Sequence, residues 1–185
     1  MRKGLMTMLI LTGIAGGLRA QSDATGGELA VYGGGTSGIG THSLMGASSG
    51  IAFSRYALAM LDVSYSRFGN DMLRDWPGRQ AQNSNLYDFN VSAHIRIPIN
   101  RKWAPYAIAG PSVMWNSYEQ LVTGAGGSTS TTSRDDVNFG FHTGGGVRYH
   151  INENWGIRPE VRVIISNQTY VAFSLGVFFN VESGL

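Results

Sequence analysis

The sequence predicts an all-β fold: an eight-stranded antiparallel up-and-down barrel that crosses a membrane through its strands. Three observations predict it. First, charged residues make up 14% of the 185 residues, roughly half the usual share of about 25% in a soluble domain. Mean hydropathy is nonetheless close to zero, so apolar residues are interleaved with small polar ones rather than gathered in helices. Second, that interleaving has a period of two over segments of about ten residues, the spacing of a half-buried strand. Third, short turns alternate with longer connections along the chain, as in membrane barrels.

The N-terminus reads as an export signal. Met1, Arg2 and Lys3 are a basic start, residues 5–11 are an apolar run, and Ala20 is a small residue suited to cleavage before Gln21. These are the three regions of a secretory signal peptide, so residues 1–20 are assigned to it and 21–185 to the barrel. Arg2, Lys3 and Arg19 are three of the 14 basic residues, and the segment holds none of the 12 acidic ones. Cleavage leaves the mature chain with net charge −1, so nothing marks a basic face for nucleic acid. With no Cys, disulfide frameworks, thiolate metal sites and thiol catalysis are excluded.

The first strand spans 28–34, with Leu29 and Val31 opposite Glu28, Ala30 and Tyr32. The second spans 48–55, with Ile51 and Phe53 opposite Gly50, Ala52 and Ser54. The third, 57–67, sets Ala59, Leu61, Val63 and Tyr65 against Met60, Asp62, Ser64 and Ser66. The fourth, 86–97, sets Tyr87, Phe89, Val91 and Ile95 against Asp88, Asn90, Ser92, His94 and Arg96. The fifth, 104–117, alternates Ala107, Ala109, Pro111, Val113 and Trp115 with Tyr106, Ile108, Gly110, Ser112 and Met114, and its facing stays open. The sixth, 137–149, sets Val137, Phe139, Phe141 and Val147 against Asn138, His142 and Arg148. The seventh, 155–165, has Trp155, Ile157, Val161 and Val163 against Arg158, Glu160 and Arg162. Pro159 within it removes a ladder donor, which predicts a bulge or local irregularity. The eighth, 169–179, points Val171, Phe173, Leu175, Val177 and Phe179 outward. Short turns fall at Tyr56, 98–102 and 151–154, a brief one at 166–168, and longer loops at 35–47, 69–84 and 118–136.

Alternation alone does not say which face is wet. Here the polar face is crowded with small residues such as Gly50, Ser64, Ser92, Gly144 and Gly176. Small side chains suit a narrow lumen, whereas a watered surface carries Lys and Glu, and Lys102 is the one lysine after the signal. Aromatic residues gather near strand ends: Tyr65, Tyr87, Trp103, Trp115, Tyr118, Tyr149 and Trp155. Such girdles mark the two membrane interfaces. The apolar face therefore meets lipid.

The inward face then holds four acids, Glu28, Asp62, Asp88 and Glu160, and four bases, Arg96, Arg148, Arg158 and Arg162. In a narrow lumen such charges must pair or stay hydrated. They are the candidate site. Glu160 sits between Arg158 and Arg162 on one strand, and Asp62 and Asp88 are placed to reach toward Arg96. Eight strands leave room for little beyond side chains, so the expected outcome is a lumen filled by this network. Trp76 in the loop at 69–84 is a candidate contact for a surface partner, as Trp is common at interface hot spots.

The segment GGGVRYHINENWGIRPEVR, residues 144–162, resembles the penultimate hairpin of the outer-membrane β-barrel domain family. These are small eight-stranded barrels similar to the transmembrane domain of outer membrane protein A. Residues 105–110, PYAIAG, resemble the family's fifth strand, and 174–179, SLGVFF, its closing strand. The likeness spans nearly all of residues 28–180. It implies a bacterial outer-membrane location, lipid contact, and the barrel-assembly machinery as a partner during biogenesis. Such chains usually end on an aromatic residue; here Phe179 is followed by six more residues.

Several motifs carry no chemistry. GGGTSGIG at 33–40 lacks the Lys and the helix of a phosphate loop. The stretch 124–133 is low-complexity and reads as flexible. His42, His94, His142 and His150 lack metal-ligand spacing. No cofactor, no metal and no catalytic residue is assigned, and the chain is read as a non-enzyme. The expected role is structural or surface interaction with an extracellular partner, with both ends in the periplasm. The rival readings are a small-solute channel, porin-like, and a soluble periplasmic carrier of the lipocalin kind.

Overall fold

Each short hairpin turn is built the same way. Ser54 Oγ accepts the backbone N–H groups of Tyr56 and Ala57, both at 3.1 Å. Asn100 Oδ1 accepts those of Lys102 (2.8 Å) and Trp103 (2.9 Å). Asn152 Oδ1 accepts those of Asn154 (3.0 Å) and Trp155 (2.9 Å). A short polar side chain two or three residues ahead of the donors closes a turn on itself, and the strands on either side are thereby held antiparallel.

The computed structural model describes residues 26–38, 41–69, 81–123, 129–167 and 169–182. Its strands, in chain order, are β1 (Gly26–Ser37), β2 (His42–Ala52), β3 (Ala57–Gly69), β4 (Ala81–Arg96), β5 (Trp103–Thr123), β6 (Thr129–His150), β7 (Trp155–Ile165) and β8 (Tyr170–Glu182). Each pairs antiparallel with the next, and β1 pairs with β8 from Gly26↔Glu182 to Ser37↔Val171. The sheet is thus a closed barrel without an unpaired first or last strand, the condition for crossing a lipid bilayer with strands.

The facing follows the parity of the sequence. Val31 is 59% exposed on the outer wall, while its neighbours Ala30 and Tyr32 are buried. Tyr106, Ile108, Ser112 and Met114 of β5 point inward and Trp115 outward, which settles the facing of that strand. A soluble carrier would hold the apolar side within; here the outside carries Phe89, Phe139, Phe173 and Leu175, and the soluble reading falls.

Aromatic contacts mark both rims of the outer wall. Trp103 meets Tyr149 near the short turns, with ring centroids 4.6 Å apart, and Tyr87 bridges Tyr65 (5.2 Å) and Trp115 (5.7 Å) toward the other end. Trp103 and Trp115 are twelve residues apart, roughly 40 Å along a strand and about 30 Å along the axis at a tilt of about 40°. That separation matches a hydrocarbon layer. Tyr118 is the exception: it is buried in the lumen, and its hydroxyl donates to Asp136 Oδ2 at 2.9 Å.

Two expectations need correction. The loop at 35–47 contracts to residues 38–41, because Gly35↔Ser43 and Gly33↔Met45 pair in the ladder. The connection turns at Gly38, whose φ of 121° suits glycine. The loop at 118–136 is mostly strand: β5 and β6 pair as far as Thr123↔Thr129. Thr is a good strand former, and pairing extends the ribbon through a stretch that composition made look flexible. Pro159 brings the local irregularity expected of it, without a bulge. β7 holds one register with β6 on both sides of it, with pairing interrupted only opposite Arg158 and Pro159. Pro111 does the same between β4 and β5, opposite Val91. Residues 1–20 and the segment with Trp76 lie outside the described residues.

Candidate functional site

The lumen is where the inward charges meet, because every second residue of eight strands converges on one axis. Glu28 on β1 accepts from Arg148 Nε at 3.1 Å and Nη2 at 2.9 Å, and from Arg158 Nη1 at 3.1 Å. Arg158 Nε lies 3.8 Å from Glu160 Oε2. Glu160 Oε1 then accepts from Arg162 Nε, and Arg162 Nη2 donates to Asp62 Oδ1 at 2.7 Å. One continuous chain runs Arg148–Glu28–Arg158–Glu160–Arg162–Asp62. All six residues are at most 6% exposed.

Neutral groups complete the coordination. The Tyr106 hydroxyl donates to Glu160 Oε2, and Arg148 lies over the Tyr106 ring, 4.5 Å from its centroid. His94 stacks on Tyr106, with ring centroids 5.2 Å apart, and its Nδ1 lies 3.5 Å from Arg148 Nη2. Arg158 Nη2 donates to Ser48 Oγ at 3.1 Å, and both Arg148 and Arg158 reach the Met60 sulfur. The donor fork of Arg158 is thereby met from several directions, whereas Arg148 Nη1 is buried without a hydrogen-bond partner.

Next to the ion pairs lies a hydroxyl–imidazole relay. Ser92 Oγ donates to Asp62 Oδ2 at 3.2 Å and lies 3.0 Å from His142 Nε2. His142 Nδ1 is 3.0 Å from Ser112 Oγ, which donates to Asn90 Oδ1. Beyond it, toward the longer connections, the lumen turns apolar, with Tyr32, Leu44, Phe68, Leu86, Met114, Ile164 and Tyr170 in one cluster.

Two of the charges stand apart from the chain. Asp88 lies beside Asn90 and Tyr170. Arg96 is half-buried at the short-turn mouth, and its Nη2 donates to the Ser54 carbonyl at 3.0 Å. Asp62 faces Arg162, not Arg96. Parity placed all eight residues in the lumen but could not say which would touch. Tyr106, Ser48, Met60 and Ser92 were missed as members, although each sits on an inward parity position. Among the described residues, no three His, Asp or Glu side chains come together as a metal site.

The fold's relatives agree with this geometry. The sequence profile of the outer membrane protein β-barrel domain family matches residues 9–180. The chain belongs to that family. Among curated protein sequences none matches it. Several solved outer-membrane β-barrels share its architecture. Neisserial surface protein A is 18% identical, with TM-score 0.57, covering 86% of this chain and 99% of that one. The N-terminal β-barrel domain of Pseudomonas aeruginosa OprF is 16% identical, with TM-score 0.52, covering 85% and 99%. Ail, the attachment invasion locus protein of Yersinia pestis, is 11% identical, with TM-score 0.55, covering 84% and 97%. At these identities the likeness is one of fold.

Proposed function

We propose that this outer-membrane β-barrel is non-conducting and non-enzymatic, and that it acts through the surface at its longer-connection end. The observation that carries the reading is the buried chain from Arg148 to Asp62, which crosses the lumen between non-adjacent strands and leaves its charges at most 6% exposed. A solute path through it would require breaking several buried ion pairs. The Ser92–His142–Ser112 relay is buried and has its polar atoms engaged with one another and with Asp62 and Asn90, which favours a part in supporting the lumen over chemistry. Function is then left to the exterior. The most prominent exterior feature is the β5–β6 ribbon: β6 pairs with β7 only from Phe141↔Ile165, and residues 130–137 are all exposed.

In this reading the short turns and both strand ends, Gly26 and Glu182, face the periplasm. The ribbon and the Trp76 segment face outward toward an extracellular partner. The signal at 1–20 directs export, and outer-membrane lipid and the assembly machinery are the other partners. Two of the structural relatives bear the names of a surface protein and an attachment invasion locus protein, which favours a surface role here.

Conductance in planar bilayers tests the reading. Folded protein is expected to give no steady conductance. A steady single-channel current from the wild type would overturn it in favour of the small-solute channel.

A further inference from the structure

We propose that the short-turn mouth of the barrel is a phosphate site that holds the headgroup of an anionic phospholipid. A cavity of about 500 Å³ opens there between the β2–β3 and β4–β5 turns and the end of β6. Its wall carries the guanidinium groups of Arg55, Arg96 and Arg101 and the imidazole of His150, and no carboxylate. These cations come from three different places, the β2–β3 turn, the end of β4 and the β4–β5 turn, with His150 closing β6. They converge on one space only because the barrel closes.

Among the described residues, no acid pairs with these arginines. Glu28, the carboxylate whose field reaches Arg96, is held by Arg148 and Arg158. Arg55, Arg96 and Arg101 belong to none of the ion pairs among the described residues. Arg96 Nη2 donates to the Ser54 carbonyl, yet its Nε is buried with no hydrogen-bond partner. A buried charged donor without an acceptor is rare in a folded protein. Arg55 is held over the Tyr56 ring, 4.6 Å from its centroid, which keeps that guanidinium at the rim. Asn100 fixes the turn that presents Arg101.

Planar guanidinium groups match the paired oxygens of a phosphate. The source of the phosphate follows from the surroundings. Phe53, Ile97 and Ile99 are 67–69% exposed at the same rim, and the cavity wall includes Pro98 between the two isoleucines. Acyl chains lying on that apolar rim would place a lipid headgroup at the mouth. The assignment does not depend on whether the lumen conducts.

The test uses the full folded protein in maltoside micelles, offered phosphatidylglycerol and phosphatidylcholine of matched chains, with retained lipid read by native mass spectrometry. The wild type is expected to keep one phosphatidylglycerol in preference to phosphatidylcholine. Arg55→Gln with Arg101→Gln should weaken that retention on the order of tenfold, as expected for losing charge-assisted contacts. Arg67→Gln with Arg134→Gln, which removes the same charge at the opposite end, should leave it unchanged. Arg55 and Arg101 are exposed, and gel mobility before and after heating verifies that each variant is folded. Arg101→Gln alone gives the same reading at smaller amplitude. Equal loss in both double variants would overturn the site in favour of diffuse attraction. Competition by inorganic phosphate with no preference between the two lipids would overturn the lipid as its occupant.

Discussion

Arg162 on β7 and Asp62 on β3 meet across the lumen, with Nη2 2.7 Å from Oδ1. Their strands are not neighbours in the closed sheet, so the contact is a strut through the interior and not part of a ladder. Glu28 plays the same part between β1 and both β6 and β7. The barrel wall is therefore tied from within at two levels, and the ties share Arg158 and Glu160.

Removing one member of this chain should be costly. Glu160→Ala leaves Arg158 and Arg162 without the carboxylate between them, and breaking a buried pair costs about 3–5 kcal/mol. Tyr106→Phe removes only the hydroxyl donor to Glu160 Oε2, a loss of about 1.5–3 kcal/mol for a bond to a charged group. The two act on one network, so the double variant should cost less than the sum. Urea unfolding in lipid vesicles measures all three. Full additivity would show that Tyr106 and Glu160 are not coupled.

The lipid face makes a different demand. Val161 lies outward, paired with Phe173 on β8 and Gly145 on β6. An Arg near mid-membrane in a barrel costs about 2–4 kcal/mol, so Val161→Arg should cut the folded yield in vesicles sharply. Thr132→Arg, on the ribbon beyond the wall, should leave it unchanged. Equal tolerance at the two positions would mean that Val161 does not meet lipid.

Much of this was legible from period alone. Parity sent Glu28, Asp62, Arg148 and Arg162 inward and Val161 and Phe173 outward, because in a strand the side-chain period of two is fixed by geometry. Strand ends were less legible. Residues 42–47 and 129–133 look like loop by composition, yet the partner strand supplies a ladder and the backbone follows it. Pairing inside the lumen was least legible. Asp62 meets Arg162, and not Arg96, because the stagger between β3, β4 and β7 sets the height of each residue along the axis, and no single strand's sequence carries that stagger. Tyr106 escaped notice for a related reason: an aromatic side chain on a strand looks ordinary until a carboxylate arrives from across the barrel.

Two adjacent glycines should behave oppositely. A Cβ on Gly34 would run into the backbone carbonyl of Phe173 on β8, where the strands approach closely. A Cβ on Gly33 would meet nothing nearer than the Leu44 carbonyl oxygen at 3.8 Å. Gly34→Ala must separate β1 from β8 at the seam that closes the barrel, and is expected to lower folded yield strongly. Gly33→Ala should stay within about 0.5 kcal/mol of the wild type. Heat-dependent gel mobility distinguishes folded from unfolded chains for both. Similar yields would show that the seam accommodates a methyl group.

Sidedness can be read directly on cells. Lys102 and Glu153 are exposed in two of the short turns, and Thr132 is exposed on the ribbon at the other end. The chain has no Cys, so a cysteine placed at any of these positions is the sole reactive thiol. With an even number of strands, Gly26 and Glu182 lie at the short-turn end, and a chain exported from the cytoplasm and inserted from the periplasm would leave both there. An impermeant maleimide added to intact cells should therefore label Thr132→Cys and spare Lys102→Cys and Glu153→Cys. All three should react once the outer membrane is opened. Labelling of Lys102→Cys but not Thr132→Cys on intact cells would invert the barrel, and would place the basic mouth with Arg55, Arg96 and Arg101 on the cell exterior instead of in the periplasm.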